Sequence, residues 1–344
     1  MGGHQGSCST RASTPVRRWT GVVTGTATIA CPPMAHPRRF RFGIQLSSAS
    51  SGAEWATLAR RAEDLGYDTL FMPDHFGDQL APMPALMAVA DATTDLKVGA
   101  LVFDNDYKHP VVLAKELATI DVLSGGRLEV GLGAGWMQSD YDQSGIPMDP
   151  PGVRVSRMEE GIEVLKGCFG AGPFSFAGEH YTITGYDGHP KPTQTPPPLL
   201  IGGGAKRVLS IAGREADIVG INPSIHSGHV DAAAAQNGAA AETDQKLAWV
   251  RDAAGDRYPD LEINILQFAA IVTDDRKGTA EMMAPLFGLP PEELEVYPHA
   301  CIGTVEEIVE SLQARRDRWD ASYFVFQGDT MEPMAPVVAA LRGT

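Results

Sequence analysis

LKVGALVFDNDYKHPVVLAKELATIDVLSGGRLEVGLGAGW, residues 96–136, is the stretch that decides the fold. Leu96–Phe103 is apolar on both faces, as a strand covered on both sides must be. Pro110–Leu123 reads as a helix that stops at Ser124-Gly125-Gly126, and Leu128–Leu132 resumes as a strand. Strand, helix, strand in strict succession implies a parallel pair with a helix between its members.

The alternation continues outward in both directions. Toward the N-terminus come an apolar run at Phe40–Leu46, a helix over Gly52 to Gly66 with Trp55, Leu58, Ala59, Ala62 and Leu65 at three- and four-residue steps, a strand at Thr69–Met72 and a helix at Pro84–Ala92. Toward the C-terminus, a helix at Val153–Phe169 precedes strands at Leu199–Ile201, Asp217–Ile221, Ile263–Val272 and Tyr323–Phe326. Helices are expected at Lys206–Ala212 and Leu247–Ala254. Another opens on the T-x-x-E capping box of Thr304 and Glu307 and buries Ile308, Val309, Leu312 and Trp319, and a last one runs to Leu341. Eight such units in one chain predict an α/β fold, a (β/α)8 TIM barrel over residues 39–344 with an insertion before the fifth strand. An open doubly wound sheet would want G-x-G-x-x-G after its first strand, and Gly43-Ile44-Gln45-Leu46-Ser47 does not supply it.

Residues 1–38 stand apart. Five arginines and no acidic residue fall within the first 39 positions, whereas all 43 Asp and Glu residues lie beyond them. The segment reads as a disordered or mis-assigned extension, with Met34 a candidate initiator; Gly21–Ala30 makes a poor signal-peptide core. The chain of 344 residues carries a formal charge of −15, which disfavours nucleic acid and anionic membrane as partners. No apolar run reaches the length of a membrane span. Cys8, Cys31, Cys168 and Cys301 form no C-x-x-C pair, so neither a disulfide framework nor a zinc site is expected and a reducing cytoplasm fits. His109, His180 and His226 lack spaced partners, so no metal site is expected.

In a barrel of this kind the chemistry sits where strands end. The second strand ends in Asp74-His75, where an imidazole can exchange a proton near neutral pH; a structural turn capped by Asp74 is the plainer alternative. The third ends in Asp104-Asn105, which serve equally well as turn residues. The fourth ends Gly131-Leu132-Gly133-Ala134-Gly135-Trp136, whose alternating glycines allow a flat ligand to approach or simply pack the barrel mouth. The fifth runs into Gly202-Gly203-Gly204 before a helix, a phosphate-binding arrangement with more glycine than packing demands.

Together with AEDLGYDTLFMPDH (62–75), FAGEHYTI (176–183) and PPPLLIGGG (196–204), the opening stretch resembles the luciferase-like superfamily of flavin and deazaflavin oxidoreductases, and most of all its coenzyme F420-dependent actinobacterial branch. The resemblance implies a ring at the barrel mouth backed by a non-proline cis peptide at Leu101-Val102. It implies His75 near the reactive ring centre as the catalytic residue, Asp74 as its cofactor-binding neighbour and the phosphate at Gly203-Gly204; with the strand-end positions Asp104, Gly133, Gly135 and Gly202, and with Leu101 and Val102, these make up the expected cofactor contacts. Trp136 stands where the family's sugar-phosphate dehydrogenases carry a glutamate, which argues against sugar-phosphate oxidation and suggests a wall for an apolar or aromatic substrate pocket. The expected function is hydride transfer between F420 and a small organic substrate, in a homodimer. The alternative is an FMN-dependent monooxygenase fed by a separate cofactor-reducing enzyme. A non-catalytic flavin-binding homologue is disfavoured by the intact Asp74, His75 and glycine motifs.

Overall fold

The computed structural model describes residues 38–225, 228–229 and 231–344. The expected extension, all but its last residue, lies outside the described residues, as do Cys8, Cys31 and His226. Eight parallel strands close into a barrel: β1 (Arg41–Gln45), β2 (Thr69–Met72), β3 (Lys97–Ala100), β4 (Leu128–Gly133), β5 (Leu199–Gly203), β6 (Ile218–Ile221), β7 (Glu262–Leu266) and β8 (Ala321–Gln327). They follow one another in chain order, and β8 pairs with β1 from Arg41 opposite Tyr323 to Gln45 opposite Gln327.

Period-two alternation separates two interiors. Outward residues such as Phe42, Ile44, Leu70, Val130 and Phe324 pack under the surrounding helices, while Phe71, Leu200, Ile218, Tyr323 and Val325 fill the barrel itself. Phe71 has room because glycines face it. A Cβ on Gly43 would lie 3.0 Å from its ring, and one on Gly99 3.1 Å. The helices form where sequence signals place them. Ser51 caps Gly52–Asp64 through the Glu54 amide, and Trp55 on that helix donates to the Ala85 carbonyl at 2.9 Å. The Thr304–Glu307 capping box is present and opens Val305–Trp319, where Ile308, Leu312 and Trp319 are buried and Val309 half-buried.

Three segments differ from the expectation. The apolar run from 96 to 103 is interrupted: β3 stops at Ala100, and a two-residue strand, Phe103–Asp104, then pairs with β4. The expected strand Ile263–Val272 is two strands. After β7 the chain leaves the barrel, and Ala269–Val272 pairs in parallel with Ala300–Gly303, a strand the sequence did not reveal. Gln267 makes the break: its buried side chain donates to the Pro298 carbonyl at 3.0 Å and accepts from Arg315 at 2.9 Å. The insertion before β5 carries an antiparallel hairpin, Phe174–Ala177 with Thr182–Tyr186.

Candidate active site

The chain after β2, Pro73-Asp74-His75-Phe76, emerges at the C-terminal rim of the barrel, with His75 half-buried. The His75 ring places Nδ1 2.7 Å from Oδ2 of Asp140. The Asp140 Oδ1 accepts the Phe76 backbone N–H at 3.3 Å, and its Oδ2 also accepts the Tyr107 hydroxyl at 3.0 Å. Trp136 meets His75 edge-on, ring centroids 5.5 Å apart, and Phe76 lies over Tyr107 at 4.4 Å. An aromatic rim thus surrounds one imidazole.

Asp140 comes from a short helix, Gln138–Ser144, just beyond the β4 glycines. Its neighbour Tyr141 reaches the other way and donates to Asp104 Oδ2 at 3.0 Å. Two adjacent buried residues therefore pin two loops, the one after β2 and the one after β3. Sequence reasoning missed both, since Asp140 lies 65 residues from His75 with no spacing rule to join them.

The third-strand interruption is local geometry. The Leu101–Val102 peptide is cis, at the position the resemblance implies, and Gln45 donates to the Leu101 carbonyl at 3.1 Å. Val102, half-buried, lies against glycines of two strands. A Cβ on Gly133 would sit 2.5 Å from its Cγ2, and one on Gly202 3.4 Å from its Cγ1. Gly131 must be glycine for another reason, because its Cβ would be 1.9 Å from the Ala100 carbonyl oxygen. Gly135 has φ +73°, and a Cβ there would lie 1.8 Å from the Tyr141 hydroxyl. The fourth-strand glycines are set by what packs against them.

The Asp104 carboxyl is an interior group. It accepts the Asp106 N–H at 2.9 Å besides the Tyr141 hydroxyl, and burial, with the charge of Asp106 adding, pushes it up to about 7. Asp74 accepts the Asp104 N–H at 3.2 Å and is also raised by burial. Both carboxyls brace the loop junction.

Gly203 and Gly204 correct one expectation. A Cβ on Gly203 would sit 2.5 Å from Val208, and one on Gly204 would sit 2.4 Å from the backbone of Pro223 and Ser224, so packing alone requires both. Gly202 is looser, its nearest neighbour being Asn222 Nδ2 at 3.3 Å. The helix Lys206–Glu215 starts at Ala205, which provides no side-chain cap for the first-turn amides. Beneath this corner, Lys246 is buried and donates to the carbonyls of Asn222, at 2.9 Å, and Asn237; burial lowers its ammonium to about 8. A recess of about 300 Å³ beside the third-strand loop is lined by Asn105, Lys108, His109, Arg157 and Tyr181 among others. Its strong cations are already paired, Arg157 with Asp106 at 2.8 Å and Lys108 with Glu116 at 2.5 Å.

Comparison with known proteins places this geometry in context. The family model for luciferase-like monooxygenases matches residues 38–321. An FMNH2-dependent dimethylsulfone monooxygenase of Pseudomonas putida is 30% identical over 203 residues, covering 54% of this chain and 56% of that protein. An F420-dependent glucose-6-phosphate dehydrogenase of Amycolatopsis mediterranei is 29% identical over 167 residues, covering 46% and 50%. The chain thus spans about half the length of these curated relatives. Among solved structures, the coenzyme F420-dependent tetrahydromethanopterin reductase of Methanopyrus kandleri superposes with a TM-score of 0.71 at 17% identity, covering 89% of this chain and all of that one. That likeness bears on the fold.

Proposed function

The chain belongs to the luciferase-like monooxygenase family, and from that membership we propose that it transfers a hydride between coenzyme F420 and a small organic substrate at the barrel mouth. The observation that carries the reading is the His75–Asp140 pair, an imidazole half-buried at the rim with one nitrogen held by a carboxylate. Hydride transfer to or from a polar carbon needs a proton moved alongside it, and an imidazole so held suits that task.

The residues at the mouth fit a flat ring with a phosphorylated tail. Val102 backs the opening, Gly202 leaves space where a larger residue would press on Val102 and Asn222, and the uncapped helix start after Gly204 suits an anion. Leu101, Val102 and Gly202 would hold the ring and the amides after Gly203-Gly204 the phosphate. When bound, the deazaflavin supplies a carbon centre that gives or takes a hydride. His75 exchanges the accompanying proton with the substrate, Trp136 walls the substrate side and keeps water out, and Asp74 and Asp104 hold the loops in register.

The FMN-dependent monooxygenase reading is supported by the 30% and 29% identity to two FMNH2-dependent dimethylsulfone monooxygenases. Titration with oxidised F420 and, separately, reduced FMN separates the two. Binding of F420 at least about tenfold tighter supports the hydride reading, the reverse preference supports the oxygen-using one, and binding of neither removes both. We extend the proposal to a homodimer through Pro110–Leu123, where Val112 and Leu123 are exposed; light scattering of the intact chain reads it directly. Residues 39–344 form the working unit in this proposal, and residues 1–38 are dispensable.

A further inference from the structure

We propose that Asp140, seconded by Tyr107, is a positioning residue that fixes His75 in the tautomer carrying its proton on Nδ1, so that the lone pair resides on Nε2. The inference rests on His75 being the proton-exchanging group at the mouth. Three donors converge on the Asp140 carboxylate: the Phe76 N–H at 3.3 Å, the Tyr107 hydroxyl at 3.0 Å and the His75 Nδ1 at 2.7 Å. A carboxylate accepts and does not donate, so the imidazole nitrogen facing it must bear the hydrogen. Tyr107 cannot take that role from His75, since burial raises its phenol far above the ordinary value and keeps it a neutral donor.

The rest of the local structure serves the same end. Gly135, in the left-handed region, turns the chain out of β4, and the helix that follows brings Asp140 under the loop after β2. Because one carboxylate holds both the His75 ring and the Phe76 backbone, ring and loop cannot move independently. Trp136 packs perpendicular to the same ring, centroids 5.5 Å apart. With Nδ1 committed, Nε2 is the nitrogen left to accept a proton, and the imidazolium that results is stabilised by Asp140 in place.

The test uses the full chain with ¹⁵N-labelled histidine and reads the tautomer from long-range proton–nitrogen correlations, with His75 assigned by its loss in His75→Gln. The wild-type ring is expected to carry hydrogen on Nδ1. In Asp140→Asn, where the amide can donate to Nδ1, the proton is expected on Nε2, while Tyr107→Phe keeps the wild-type tautomer. Once a substrate is in hand, Asp140→Asn should lose roughly 10²–10⁴ in kcat with KM within about twofold. A neutral wild-type ring with its hydrogen on Nε2 overturns the proposal. If Asp140→Asn does not fold, the wild-type tautomer decides alone. The spectrum needs no cofactor, so failure to bind F420 or FMN removes the functional reading while the tautomer result stands.

Discussion

The floor and the mouth of this barrel are made from the same strands and handle charge in opposite ways. At the N-terminal floor, Arg41 bridges Glu129 and, at 2.7 Å, Glu262; Lys97 adds a contact to Glu129 at 3.2 Å, and the Tyr323 hydroxyl donates to it at 2.9 Å. Two cations face two carboxylates, and Glu129 is fully committed. Burial opposes its charge, yet Arg41 and Lys97 hold its carboxyl below the usual range. At the mouth, burial raises Asp104 to about 7 with the charge of Asp106 adding, and His75 has one ring nitrogen held by Asp140. Closed electrostatics at one end support open electrostatics at the other, the division of stability and catalysis expected of this fold.

The comparison breaks most visibly at Arg41. Arg41→Met leaves Glu129 buried beside Lys97 alone and should cost about 3–5 kcal/mol in denaturant unfolding, with cofactor affinity per folded molecule unchanged. A loss below about 1 kcal/mol would mean the floor is not the stabilising end. His75→Gln should do the converse, lowering turnover roughly 10²–10⁴-fold with the unfolding midpoint little changed.

The two ends should also respond oppositely to pH. Glu129 is lowered from an ordinary value of 4.5, so its stabilisation is present above that value and is lost as acid titrates it. Asp104 is raised from 3.8 to about 7, so the folded state binds its proton more tightly than the unfolded chain. Its burial costs nothing in acid, and stability falls as pH climbs from near 4 to near 7, by a few kcal/mol at most. Stability curves measured at several pH values should flatten on the acid side in Glu129→Gln and on the neutral side in Asp104→Asn.

The smallest effects come from two glycines on neighbouring strands. Gly131→Ala drives a methyl group into the Ala100 carbonyl and should cost about 1–3 kcal/mol of stability. Gly202→Ala meets only side chains at 3.3 and 3.4 Å, so it should leave stability nearly unchanged and weaken cofactor binding by about tenfold. Equal stability losses would put Gly202 among the packing glycines.

The barrel was legible because each strand is an apolar run closed by a turn and each helix shows its own period; tertiary contacts only had to agree. Runs that continue through a change of direction were not legible. Ile263–Val272 is apolar but for Asn264, which stays within the barrel and donates to the Tyr323 carbonyl, and Gln267, which marks the exit. At the site, His75 and the strand-end glycines stood out by position, whereas Asp140 did not, because its partner is reached through space. The glycines also show how one residue type has several causes. Gly135 yields to a tyrosine hydroxyl, Gly204 to backbone and Gly133 to Val102, and the sequence presents all three alike.

The excursion between β7 and β8 closes around its own small core of Ala269, Ala284, Leu289, Leu294, Tyr297, Ala300 and Ile302. Its two strands also reach the barrel's packing, since Ala270 and Cys301 belong to the main core and Arg315 donates to the Pro298 carbonyl at 2.9 Å. The excursion is therefore cohesive in itself and anchored to the barrel through those contacts.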